Sequence, residues 1–119
     1  MATTAAVRPH HTDTSSRRWD SGAVERRLPD DDVRIFRRAF AWVDPQNPQS
    51  KTAAKFPHHE VTRDGSVGPA NERACINGIA ILNGGRGGAD IDDRERSAVY
   101  RHLATHLRDA GRDPARLKK

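Results

Sequence analysis

The sequence predicts an α+β fold: a short two-stranded β element packed on an antiparallel helical hairpin, with a flexible basic N-terminal arm. Three observations predict it. Two stretches with helical spacing of apolar residues flank the turn Asn83-Gly84-Gly85-Arg86-Gly87-Gly88. Two short β-like stretches, near residues 39–43 and 54–61, precede them. The first residues, up to about position 18, are rich in Thr, Ser, Ala and His with almost no large apolar side chain, too little to offset the entropy of ordering.

With 119 residues, 34% hydrophobic and 5% aromatic, the chain can bury one small core. The expected organisation is a disordered basic arm over 1–18, a linker with a short helix over 19–38, an α+β module over 39–112 and a frayed basic tail over 113–119. The formal net charge of +5 implies attraction to an acidic partner: nucleic acid, an acidic protein face or an anionic surface. Cys75 is the single cysteine; it sits among apolar residues and reads as a buried free thiol. No apolar run approaches the roughly 20 residues of a membrane-spanning helix, so no membrane partner is expected.

The elements follow in order. Val24 and Leu28 lie one turn apart behind Ser21, a capping residue type, so a weak helix follows Trp19. Pro29-Asp30-Asp31-Asp32 breaks the chain. Val33, Phe36 and Phe40 fit helical spacing, but the alternation around Phe40 and Trp42 favours a turn followed by a strand over about 39–43. Asp44-Pro45-Gln46-Asn47-Pro48 ends that strand. A second strand covers 54–61, placed at an edge or broken at Pro57, which has no N–H for a ladder. Thr62-Arg63-Asp64-Gly65 signals a tight turn. Pro69 suits the first turn of a helix. Ala70, Ala74, Cys75, Ile79 and Leu82 form its apolar stripe, widened by Ile76, Ala80 and Ile81, as for a central helix. Gly78 permits close approach of a neighbour. Asp92 with Glu95 three residues on has the spacing of a capping box. Val99, Leu103, His106 or Leu107, and Ala110 then recur at helical spacing up to Gly111, a natural stop.

Three blocks resemble a known module. Lys55-Phe56-Pro57-His58-His59-Glu60 is similar to a "K-L-P-H-H" motif. Asn83-Gly84-Gly85-Arg86-Gly87-Gly88-Ala89-Asp90-Ile91 is similar to "L-N-G-A-R-G-G-V-D-I-P", and Tyr100-Arg101-His102-Leu103-Ala104-Thr105-His106-Leu107-Arg108 to "V-Y-x-H-L-A-x-H-Y-R". In this order they resemble an accessory module found in or beside tailed-phage prohead proteases and other head-morphogenesis proteins, including prophage-encoded relatives. Ala39 to Asp44 resembles its aromatic strand, and Trp19-Asp20-Ser21-Gly22-Ala23 a linker upstream of it. The resemblance spans about 19–117, with departures at Ala89, Asp92 and Leu107. It implies a free-standing copy of the module, without the protease catalytic domain. The implied role is non-enzymatic, in multiple copies on a phage capsid or head protein, in the virion or the bacterial host cytoplasm.

The histidines are the sharpest chemical feature. His102 and His106 are four residues apart and share a helix face. With His58, His59 and Glu60 from the neighbouring strand they can form a divalent-metal site of nitrogen and oxygen donors, and a metal-dependent hydrolase is one alternative reading. The helix lacks the Glu of H-E-x-x-H. The bland reading makes His106 a packing residue and leaves His102 in solvent or bonded to a carbonyl. His58, His59 and Asn83 supply the residue types of a His/Asn nuclease, but not in its element order. The glycine-rich turn has backbone N–H groups for an anion, yet no Lys-Ser/Thr follows it, and Asp90, Asp92 and Asp93 would repel phosphate. Its glycines read as turn chemistry. Arg94, Arg101 and Arg108, seven apart on one helix face, are candidates for nucleic-acid backbone. The reading favoured by the sequence assigns no catalytic residue, no metal ligand and no cofactor. It places partner contacts at Trp19, Arg37, Arg38, Pro57, His58 and His59.

Overall fold

The computed structural model describes residues 5–118, with the Arg86 side chain outside the description. The fold is α+β, with four α-helices, a three-stranded sheet and a two-stranded sheet among the described residues.

Helices α1 (Ser21–Arg27) and α2 (Val33–Ala39) are each started by an aspartate. Asp20 accepts from the Ala23 N–H at 3.1 Å, one residue before the expected Ser21 cap. Asp32 accepts from Arg34 and Ile35. The expected turn over residues 33–38 is therefore a helix. Its spacing buries Phe36 and Ala39, and that burial outweighs the local alternation that favoured a turn.

The chain passes from α2 directly into β2 (Phe40–Trp42), which pairs antiparallel with β3 (Lys55–Pro57), Phe40 opposite Pro57 and Trp42 opposite Lys55. The chain breaks after Pro57, as a missing N–H requires. It resumes as β4 (His59–Val61) in a different sheet. Strand β5 (Val67–Asn71) is antiparallel to β4 and parallel to β1 (Thr14–Ser15).

Pro69 lies inside β5 and not at a helix start. The pairing shifts register between His59 and Val61. Two residues, Gly68 and Pro69, stand against one, Glu60, so the strand bulges where the proline has no hydrogen to donate.

Helix α3 (Glu72–Leu82) begins on Asn71, whose side chain accepts from the Ala74 N–H at 3.0 Å. Helix α4 (Asp93–Asp109) begins on Asp92, which accepts from the Glu95 N–H at 2.9 Å. The two pair in opposite directions. Arg96 donates to the Leu82 carbonyl, Gly78 faces Leu103, and Glu72 pairs with Arg112. Gly84, at φ 103°, supplies the left-handed backbone of the connecting turn. Ala74, Cys75, Ile79 and Leu82 of α3 are buried, but Ile76 is 43% exposed, so this helix is not wrapped on all sides.

Two expectations fail, and the first rested on low hydrophobicity. Residues 5–18 are not an unstructured arm. Ala5, Ala6 and Val7 are buried, the Val7 N–H donates to Ala41 O and the Val43 N–H to Ala5 O, both at 2.9 Å. Further on, the Ala70 N–H donates to Asp13 O at 2.9 Å. The arm thus stitches β2 of one sheet to β5 of the other, and backbone pairing orders a segment whose small side chains could not. The same expectation for residues 1–4 falls outside the described residues. The tail is strapped down as well. Tyr100 donates to Ala115 O, Asn83 bonds Arg116 O and the Lys118 N–H, and Leu117 packs on the core.

Candidate metal centre

Three segments converge on a cluster of five imidazoles. His10 comes from the arm between its two pairing regions. His58 is the junction between β3 and β4, and His59 opens β4. His102 and His106 project from one face of α4. Ring centroids of neighbouring pairs stand 4.6–5.3 Å apart. His58, His59, His102 and His106 are at most 1% exposed, and His10 is half-buried over them.

Backbone carbonyls orient three of the rings through Nδ1. His58 Nδ1 is 3.0 Å from Phe56 O, His59 Nδ1 is 2.8 Å from Gly68 O and His102 Nδ1 is 2.9 Å from Val7 O. A carbonyl only accepts, so each Nδ1 carries the hydrogen and donates it. Phe56 reaches its position with φ 62°, an uncommon backbone for a residue with a side chain. The Nε2 atoms turn inward. His58 Nε2 lies 3.0 Å from His102 Nε2, and His10 Nε2 lies 3.3 Å from His59 Nε2. Both ring nitrogens of His106 are buried with no hydrogen-bond partner among the described residues.

Burial disfavours the protonated form of all five rings. Desolvation is the largest cause at each, reinforced by neighbouring imidazoles. It lowers His59 and His102 from 6.5 to about 4 and His106 to about 3, with His58 well below 6.5 and His10 lowered too. The Phe56, Gly68 and Val7 carbonyls oppose the shift at their own rings, and Arg38 adds to it at His10 and His59. One nitrogen from each of His10, His58, His59 and His106 lies within 4.8 Å of all the others.

The cluster revises the residue assignments. His58 and His59, expected at a partner interface, are interior. His102 is buried and not in solvent, although it does bond a carbonyl, that of Val7. Glu60 is not part of the cluster: it alternates outward on β4 and accepts from the Asn71 amide at 2.9 Å. Asn83 is engaged with the tail, away from any nuclease arrangement. Trp19 and Pro57 line one surface cleft of about 550 Å³. Arg37 and Arg38 are exposed at the end of α2, and Arg94, Arg101 and Arg108 are exposed along α4. His10 was missed. Its signal was the His10-His11 pair in a segment otherwise free of large side chains. His11 is no part of the cluster and pairs with Asp109 at 2.7 Å.

Comparison with protein families, with curated proteins and with solved structures finds no match to this chain.

Proposed function

We propose that this chain is a non-enzymatic docking module of tailed-phage or prophage origin, seated in multiple copies on a capsid or other head component. The observation that carries this reading is a separation of roles. The imidazoles, the groups best suited to chemistry, are closed into the interior, while Trp19 and Pro57 line an open cleft with Lys55, Ile81 and Ala89. An aromatic ring beside apolar groups, with charge at the margin, is the composition of a protein-binding patch. Arg37 and Arg38 add positive charge on α2. The order of the phage-like motifs supports the choice of partner, and the location follows: virion, or host cytoplasm before assembly.

Particles from an induced lysate, separated on a density gradient, test this. The chain is expected to co-sediment with the heads at a fixed ratio to the major capsid protein, and Trp19→Ala with Arg37→Glu and Arg38→Glu is expected to release it. Wild-type chain remaining at the top of the gradient would contradict the reading.

One observation favours a second reading. Arg94, Arg101 and Arg108 are exposed with no carboxylate ion-pair partner among the described residues, and seven-residue steps space them about 10.5 Å apart along α4. Three phosphate contacts predict a log–log salt slope of about −2.7 on duplex DNA. A slope near zero removes that reading and leaves docking untouched.

A further inference from the structure

The inward-facing nitrogens of the histidine cluster lack a partner of the right kind. With Nδ1–H committed to a carbonyl in His58, His59 and His102, a neutral ring leaves Nε2 as a bare lone pair. Two such lone pairs, on His58 and His102, face each other at 3.0 Å. They repel unless positive charge lies between them. His106 adds two ring nitrogens with no partner among the described residues, at 1% exposure.

Two kinds of positive charge are available. A proton makes one ring an imidazolium and serves one pair of nitrogens. It also places a full charge among desolvated rings with no carboxylate in the cluster, which burial opposes. A divalent cation serves four lone pairs at once. An ion with Zn–N bonds of about 2.0–2.1 Å sets tetrahedral ligands about 3.3–3.4 Å apart. His10 Nε2 and His59 Nε2, at 3.3 Å, already stand at that edge, and one nitrogen from each of His10, His58, His59 and His106 lies within 4.8 Å of the others. An ion that takes up the His58 lone pair also relieves its repulsion with His102.

We infer that the cluster is a transition-metal centre of the structural zinc type, ligated by His10, His58, His59 and His106, with His102 packed against His58 outside that set. The donor set is all nitrogen, the preference of Zn²⁺ and its first-row neighbours and not of Mg²⁺ or Ca²⁺. Carbonyls on Nδ1–H are the outer shell that fixes the tautomer of ligating histidines and makes the ring a stronger donor. Four protein ligands in a buried site leave no position for substrate, so the ion stabilises and does not catalyse. His10 is the half-buried ligand and the only one on the arm. The ion therefore clamps the arm, between its pairings to β2 and β5, onto α4 and the β3–β4 junction. This inference stands apart from the docking reading: either can fail alone.

The test uses the full chain without a polyhistidine tag, stripped by chelator and titrated with Zn²⁺ at neutral pH. Calorimetry is paired with long-range ¹H–¹⁵N spectra of the rings, which need no mutation. The expected result is one Zn²⁺ per chain, with ring-nitrogen shifts at His10, His58, His59 and His106 and none at His11. His10→Ala, checked for folding by circular dichroism, should lose about 100-fold or more in affinity, exceeding an outer-shell effect, while His11→Ala binds as wild type. Three results would each overturn the inference. One is no stoichiometric binding by the folded wild-type chain. Another is equal binding by folded His10→Ala. The last is an Nε2 proton shared between His58 and His102 that Zn²⁺ does not displace.

Discussion

The carboxylate of Glu95 accepts the backbone N–H of Ala6 at 2.9 Å and that of Ala5 at 3.1 Å, tying the first turn of α4 to the arm. This glutamate has capping-box spacing, yet its side chain serves a segment about ninety residues away. Glu95→Ala leaves two backbone donors without their acceptor and is expected to lower stability by about 1–3 kcal/mol. Glu95→Gln keeps one acceptor oxygen and should cost less. Urea denaturation reads both; an unchanged midpoint for Glu95→Ala would show that this tie contributes nothing to stability.

Asn71 is fully buried and serves three partners. It caps α3 through Ala74 and donates its amide to Arg17 O and Glu60 Oε2, both at 2.9 Å. Asn71→Ser keeps the cap and loses the donors, an expected cost of about 1–3 kcal/mol. Asn71→Asp also keeps the cap but sets a carboxylate against a carbonyl and the Glu60 carboxylate. It is expected to be the worse of the two at neutral pH, by thermal or urea denaturation, and to recover towards Asn71→Ser as acid protonates it. The reverse order would contradict the assigned hydrogen bonds.

Gly78 of α3 takes the Leu103 side chain of α4 directly against its backbone. A Cβ there would stand 2.7 Å from Leu103 Cδ1 and 3.4 Å from the Phe56 ring. Leu103 is fully buried and has little room to yield. Gly78→Val should cost about 1–3 kcal/mol through overpacking, measured as a drop in denaturation midpoint. A stabilised Gly78→Val would mean that the helices are further apart than described.

The metal-free chain should lose stability in acid. The rings of His59 and His102 titrate near 4, and that of His106 near 3, against 6.5 as the ordinary value. Between these limits the unfolded chain binds more protons than the folded one, so acid favours unfolding. The stability contributed by the neutral rings is complete above about pH 6.5 and is lost as pH falls towards 4. Each ring steepens the loss by up to about 1.4 kcal/mol per pH unit. Denaturation in chelator across that range checks this. A midpoint that held steady or rose on acidification would contradict burial of neutral histidines.

Local chemistry was legible in the sequence. Asp92 starts α4, Gly111 lies just past its end, and Pro57 breaks the strand, because a cap, a left-handed turn or a missing N–H acts within a few residues. What stayed hidden is non-local. Nothing in Thr14-Ser15 signals a parallel partner at Ala70-Asn71, and Ala5 to Val7 look too small to order until β2 supplies their hydrogen bonds. For the same reason Pro69, well suited to open a helix, sits in a bulge of β5. The pair His102 and His106 was visible from spacing and its link to His58 and His59 was anticipated. Only the path of the arm brings in His10, and only the strand alternation sends Glu60 out.

X-ray absorption at the zinc edge of the tag-free, zinc-loaded chain reads the ligands of the histidine cluster without mutation. A four-histidine site gives four nitrogen neighbours at about 2.0–2.1 Å, with outer-shell scattering from imidazole rings and no sulfur. A first shell of six oxygens, a sulfur neighbour from Cys75, or zinc lost on simple buffer exchange would contradict it.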